Sequence, residues 1–158
     1  MNMSLIHRET IDLVATTEQI RRFIMTPARI LDYYPMGLDG GILEPEQAIW
    51  CQSQMGTSLL EVLPKQSNDN VVVIKVTTAI GLAAPFTRER IESAAAFTMV
   101  EDWVLEPNES STTLTKAWRD IKMIGEFNFP IADGLIKNAK QESAALVEGW
   151  NRAAREER

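Results

Sequence analysis

The chain has 158 residues, 45% of them hydrophobic and 24% charged, which is enough apolar material for one buried core and too much for wholesale disorder. Lys and Arg number 16 against 22 Asp and Glu, a net charge of −6, which argues against nucleic acid as a partner because phosphates need a basic surface. One cysteine, Cys51, and one histidine, His7, exclude an internal disulfide and a His/Cys zinc site. No EF-hand spacing and no Gly-rich phosphate loop appear, so neither a metal nor a cofactor is expected, with a site built from carboxylates alone left as the alternative.

The length predicts a single domain over residues 1–158. The N-terminus has no apolar segment before Arg8, and no apolar run is long enough to span a bilayer. A cytoplasmic location without an integral membrane segment is the expectation.

Residues 5–14 (LIHRETIDLV) are rich in β-branched side chains and predict a strand. Thr16 with Gln19 three residues on forms a capping box, so a short helix is expected over 17–24. Thr26 as N-cap and Pro27 at the first helical position open a second short helix, stopped by Pro35 and Gly37. Gly40 and Gly41 then mark a turn, and IWCQSQM and SLLEVL read as strands separated by Gly56. Residues 65–70 (KQSNDN) are a polar turn. VVVIKVTTA (71–79) is the clearest strand: Lys75 must face water, which turns Val72, Ile74 and Val76 inward.

Residues 79–86 (AIGLAAPF) are apolar yet carry Gly81 and Pro85, which suits a loop. It serves as a mobile lid or docking patch, or else it is tucked against the core. Residues 87–95 fit a short helix or an irregular strand. Residues 96–106 and 111–122 flank the polar turn PNES and predict a hairpin. Pro130 opens a helix to about 156, with Ala132, Ile136, Ala139, Ser143, Val147 and Trp150 on an apolar stripe. Strands grouped together and helices grouped apart indicate an α+β fold with an antiparallel sheet.

Three stretches carry a family resemblance: IDLVATTEQIRRFIMTPARILDYYPMG, FTMVEDWVLEPNESSTTLTKAWRDI and the C-terminal amphipathic helix. Together they resemble the START-like, or SRPBCC, superfamily, which includes Bet v 1-like and polyketide cyclase/dehydratase-like proteins. The resemblance implies a helix-grip fold: a curved antiparallel sheet of six or seven strands wraps a long C-terminal helix, with two short helices after strand one. It also implies a cavity between sheet and helix.

If Glu106 and Ser111 close the hairpin turn, Trp103 faces Leu114, Glu101 faces Lys116, Met99 faces Trp118 and Phe97 faces Asp120. This face is the more apolar one and is expected to point inward. Glu101, Lys116 and Asp120 are embedded in it, and charges leave water only with partners or beside a wet cavity. On strand one, His7 and Glu9 share a face with Leu5, Ile11 and Leu13. In the fold that the chain resembles, first and last strands are neighbours, which brings His7 and Glu9 to the same end.

The expected pocket lining is therefore Tyr34, Ile74, Val76, Met99, Glu101, Trp103, Lys116, Trp118 and Asp120, with Ile136, Ala139 and Ser143 on the helix. The acid–base candidates are Glu101, Lys116 and His7. A plainer reading stands beside this one: a cross-strand ion pair on a solvated part of the sheet, plus edge-strand charges; a one-residue slip in register would also send the whole set to the outer face. Three functions follow. The first is binding of a hydrophobic small molecule of lipid, polyketide or aromatic type, by a monomer or homodimer. The second is a cyclase/dehydratase-like enzyme using those acid–base groups, and the third a protein-interaction module using residues 79–86.

Overall fold

The computed structural model describes residues 5–25, 39–44, 47–53 and 56–124, together with Asp133, Gly134, Ile136, Lys137, Lys140, Val147, Gly149, Asn151 and Arg152. Strand β1 (Leu5–Leu13) is the β-branched run, and it leads into helix α1 (Thr17–Met25). The capping box forms as its residues require. The Gln19 N–H donates to Thr16 Oγ1 at 3.1 Å, and the Thr16 N–H donates to Gln19 Oε1 at 2.9 Å. Ile20 and Ile24, one turn apart, are buried and seat α1 on the main core. The second short helix expected after Thr26, with Tyr34 in it, lies outside the described residues.

Next come β2 (Gly40–Glu44), β3 (Ala48–Ser53), β4 (Gly56–Val62) and β5 (Val71–Ala79), with a single 3-10 turn at Pro64–Gln66. The expected turn at Gly40 and Gly41 is instead the start of β2. The reason is steric. Gly41 pairs with Trp50, and a Cβ at Gly41 would stand 2.6 Å from the indole Nε1, so glycine is needed for close approach rather than for turning. Residues 87–95 resolve into helix α2 (Arg88–Ser93), capped by the Thr87 hydroxyl, which accepts from the Arg90 N–H. The hairpin strands are β6 (Ala95–Pro107) and β7 (Thr112–Met123).

The seven strands form one curved antiparallel sheet in the order β1-β7-β6-β5-β4-β3-β2. From β2 to β7 the chain meanders, and β1 closes beside β7, so first and last strands are neighbours as expected. Alternation sorts the side chains into two faces. The inward face buries Ile11, Leu13, Val72, Ile74, Val76 and Phe97 among others, and Lys75 is exposed on the opposite side.

The opposite face is covered in part. Ala48, Leu59, Ala79 and Ile91 form a second buried cluster, with Leu43, Trp50, Leu82 and Phe86 packed on it. The Phe86 ring lies 4.6 Å from that of Trp50. Within residues 79–86, Leu82 and Phe86 are half-buried against this cluster, whereas Ile80, Gly81, Ala83, Ala84 and Pro85 are exposed. Arg88 ties this covering down, donating to Glu44 at 2.5 Å, Glu61 at 2.7 Å and Glu92 at 3.1 Å. Burial opposes its charge, but the three carboxylates outweigh burial and raise the guanidinium pKa. Arg88→Met should cost about 1 kcal/mol, since the network is part-exposed. Amide exchange should quicken within residues 80–94 and stay unchanged in β6 and β7; uniform quickening would contradict this local role.

Of the C-terminal segment, every described residue from Asp133 to Arg152 is helical. Ile136 is half-buried, whereas Val147, placed on the buried stripe by its spacing, is exposed. Ala139 and Ser143 lie outside the described residues. Asn151 Oδ1 accepts from the Val14 N–H at 2.7 Å, tying this segment to the end of β1. Among the described residues, no helix is long and apolar enough to cross a membrane.

Candidate functional site

The register of β6 on β7 decides which side chains meet. Pro107 pairs with Thr112, Leu105 with Leu114, Trp103 with Lys116 and Glu101 with Trp118. The turn is one residue later in the chain than the sequence predicts, so the pairs from Pro107–Thr112 to Val100–Arg119 slide by two. Asn108 accounts for the shift: its N–H donates to the Ser111 carbonyl at 2.9 Å, and its side-chain amide donates to Thr113 at 3.0 Å. A slide of two preserves the face, so Phe97, Met99, Glu101, Trp103, Lys116 and Trp118 are all buried inward as expected. The expected direct pairings Glu101–Lys116, Met99–Trp118, Trp103–Leu114 and Phe97–Asp120 are replaced.

Asp120 is the second correction. Between the pairs Val100–Arg119 and Thr98–Lys122, β7 holds one residue more than β6. Asp120 takes this bulge with φ +56°, a left-handed conformation that Asp tolerates better than most residues. It leaves the inward row and accepts from Arg119 Nη1 at 2.7 Å. Arg119 also donates to both oxygens of Asp102, at 2.6 and 3.1 Å, and these bonds raise its pKa.

Across the inward face, rows of side chains run from strand to strand. One row is His7, Trp118, Glu101, Ile74 and Val62. The next is Glu9, Lys116, Trp103 and Val72. Apolar rows flank both: Ile11, Leu114 and Leu105 on one side, Met99, Val76 and Leu60 on the other. The polar groups are an island in an apolar wall.

Two indoles hold that island together. Trp118 Nε1 donates to Glu101 Oε1 at 2.7 Å, and Trp103 Nε1 donates to Glu101 Oε2 at 3.1 Å. The Lys116 ammonium, 0% exposed, sits over both rings, 4.3 Å from the Trp103 centroid and 4.9 Å from that of Trp118. The carboxylate thus occupies the N–H edges and the cation the π-faces of the same two rings. Each charge polarises the indoles in the sense that favours the other. Phe in either position would keep the ring and lose the donor.

His7 and Glu9 extend the island along β1. His7 Nε2 lies 2.5 Å from Glu9 Oε1, and its ring is 5.7 Å from the Trp118 ring. The two side chains are only part-buried, at 18% and 23% exposure, unlike Glu101 and Lys116. Of the acid–base candidates, the fold therefore brings Glu101, Lys116 and His7 to one patch. Glu101 and Lys116 are engaged on the two indoles, and His7 stands at the rim.

A second inward polar patch escapes the sequence reading. Ser58 and Thr78 pair across β4 and β5 and share a buried hydroxyl–hydroxyl hydrogen bond of 2.8 Å, next to buried Cys51 on β3. The signal was present: continuing the alternation past Val76 and Leu60 reaches both residues. Among the described residues, no group of three His, Cys, Asp or Glu side chains is placed to hold a metal ion.

No family model matches the sequence, and no curated protein matches it. Solved structures do match over nearly the whole length. A START superfamily protein from Mycobacterium smegmatis has a TM-score of 0.59 at 11% identity, covering 99% of each chain. The Zhui aromatase/cyclase from Streptomyces sp. R1128 has a TM-score of 0.61 at 13% identity, covering 99% of this chain and 97% of that one. The fold is START-like. The Mll3558 protein from Rhizobium loti, TM-score 0.62 at 12% identity with 94% of this chain covered, extends the likeness. At these identities the START-like fold is what is shared; the indole-clamped island is described for this chain alone.

Proposed function

We propose that this START-like chain is one domain that binds an apolar small molecule on the inward face of its sheet, beneath a long C-terminal helix. The observation that carries the reading is an apolar wall interrupted by a compact charged island, Glu101 and Lys116 on two indoles. A few placed polar groups in apolar surroundings are what fixes the orientation of a mostly apolar ligand. Ile74, Val76, Met99, Trp103 and Trp118 would supply contact area from the sheet, with Glu101 and Lys116 as the polar end. Ile136, Ala139 and Ser143 would line the helix side and Tyr34 the mouth. The START superfamily and aromatase/cyclase neighbours support the reading at the level of fold.

The test is native mass spectrometry of the protein purified from its host, followed by equilibrium dialysis against naphthalene. Co-purified mass or dialysable binding is expected, and Met99→Trp, which fills the wall, should weaken naphthalene binding about tenfold or more. Absence of both ligand mass and binding, in protein that unfolds cooperatively, would remove the proposal. A second reading, a cyclase/dehydratase-like enzyme, is favoured by the part-exposed His7–Glu9 pair, which has the make-up of an oriented base. Turnover of an aromatic polyketide that disappears in His7→Phe would select it.

A further inference from the structure

The polar end has a chemical preference that can be derived from its parts, and the derivation rests on the binding reading above. Glu101 is committed at both oxygens to indole N–H groups, and the Lys116 ammonium is committed to the two ring faces and is fully buried. Neither is offered to an incoming molecule without dismantling the clamp. His7 differs. It is part-exposed, it stands in the same inward row as Trp118 and Glu101, and its ring is held from two sides by Glu9 and Trp118.

The hydrogen bond fixes what His7 can do. Glu9 is an acceptor, so in the neutral imidazole the proton sits on Nε2 and points at Glu9. Nδ1 then carries a lone pair and is an acceptor. Among the described residues, the contacts of His7 are Glu9 and Trp118, and neither uses Nδ1. Among the described residues, the charges on the inward rows beside it are Glu9 on its own strand, Lys116 on β7 and Glu101 on β6, two negative and one positive. That balance disfavours a ligand carboxylate, whereas an acceptor nitrogen favours a hydroxyl.

We infer that His7 Nδ1 is the specificity element of the pocket and selects an apolar ligand bearing a neutral hydroxyl, a phenol or alcohol, over the same skeleton without it or with a carboxylate. Glu9 is a positioning residue that holds the imidazole in the accepting tautomer.

Equilibrium dialysis with naphthalene, 2-naphthol and 2-naphthoate tests this on the full chain. The wild type should bind 2-naphthol about three- to tenfold more tightly than naphthalene, the worth of one neutral hydrogen bond, with 2-naphthoate the weakest. His7→Phe keeps a ring of similar shape and lacks the lone pair. It should lose the preference, so that the ratio of its affinities for 2-naphthol and naphthalene falls to about one. Glu9→Gln, whose amide donates as well as accepts, should reduce the same ratio without abolishing it. A preference for 2-naphthol that survives in His7→Phe, or equal binding of naphthalene and 2-naphthol by the wild type, overturns the inference and leaves the pocket standing. Tightest binding of 2-naphthoate overturns it by showing a donating, cationic His7. Binding of none of the three removes the pocket reading and this inference with it.

Discussion

Glu101→Leu should destabilise the protein by about 3–5 kcal/mol, although leucine fills a similar volume on an apolar wall. The substitution removes a buried anion from the two indoles that also carry a fully buried ammonium, and it leaves two buried N–H donors unmatched. Lys116→Met should cost less, because the Glu101 carboxylate keeps both indole donors. The double variant Glu101→Leu/Lys116→Met should lose less than the sum of the two single losses, since the ammonium and the carboxylate go together, while the two indole N–H donors stay unmatched as in Glu101→Leu. Urea denaturation of the four proteins, with unchanged m-values, measures the coupling directly. Simple additivity of the two single losses would show that the charges are not coupled through the indoles. The reading of a solvated surface ion pair predicts losses below about 1 kcal/mol throughout.

Gly56→Ala should be costly for a different reason. Gly56 opens β4 with φ +138°, and a Cβ there would lie 2.3 Å from the backbone oxygen of Ala79 on the paired strand. Backbone cannot swing aside as a side chain can, so conformational strain of about 1–3 kcal/mol is joined by a shift of β4 against β5. The shift would be felt at Leu59 and Ala79, both in the cluster that holds residues 80–94 to the sheet. Gly81 is the internal control: its φ is +76°, but nothing lies within 4 Å of the position of a Cβ. Gly81→Ala should cost about 1 kcal/mol, the price of the left-handed conformation alone. Thermal unfolding of both variants separates the cases, and equal losses would contradict the steric argument.

Local signals held where the chemistry is local. The Thr16–Gln19 capping box needs only neighbours in sequence, and both of its bonds form. The period-two pattern of residues 71–79 fits one water-facing Lys75 and buried Val72, Ile74 and Val76, as the strand shows. The inward face of the hairpin was legible for the same reason. Parity survives a slide of two, so Glu101, Lys116, Trp103 and Trp118 share the predicted face although their cross-strand partners differ from the predicted ones.

What was not legible depends on contacts between distant segments. Gly41 reads as a turn until Trp50 is laid across it. Asp120 alternates inward until a bulge inserts an extra residue beside it. Residues 79–86 have no periodicity that distinguishes a lid from a covering; only the packing of Leu82 and Phe86 on the cluster of Leu59 and Ile91 shows which of their side chains are held to the sheet.

By itself, then, the amino-acid order determined the strand and helix segments just named, which residues share a face, and that charges would be embedded in an apolar surface. Those are consequences of backbone geometry and side-chain alternation within one segment. Only the tertiary structure decided that two indole N–H groups grip Glu101 while the same rings carry Lys116, and that His7 stands at the edge of that arrangement. Turn position, bulge and strand order each move whole rows of side chains, and their energies are settled between segments far apart in the chain.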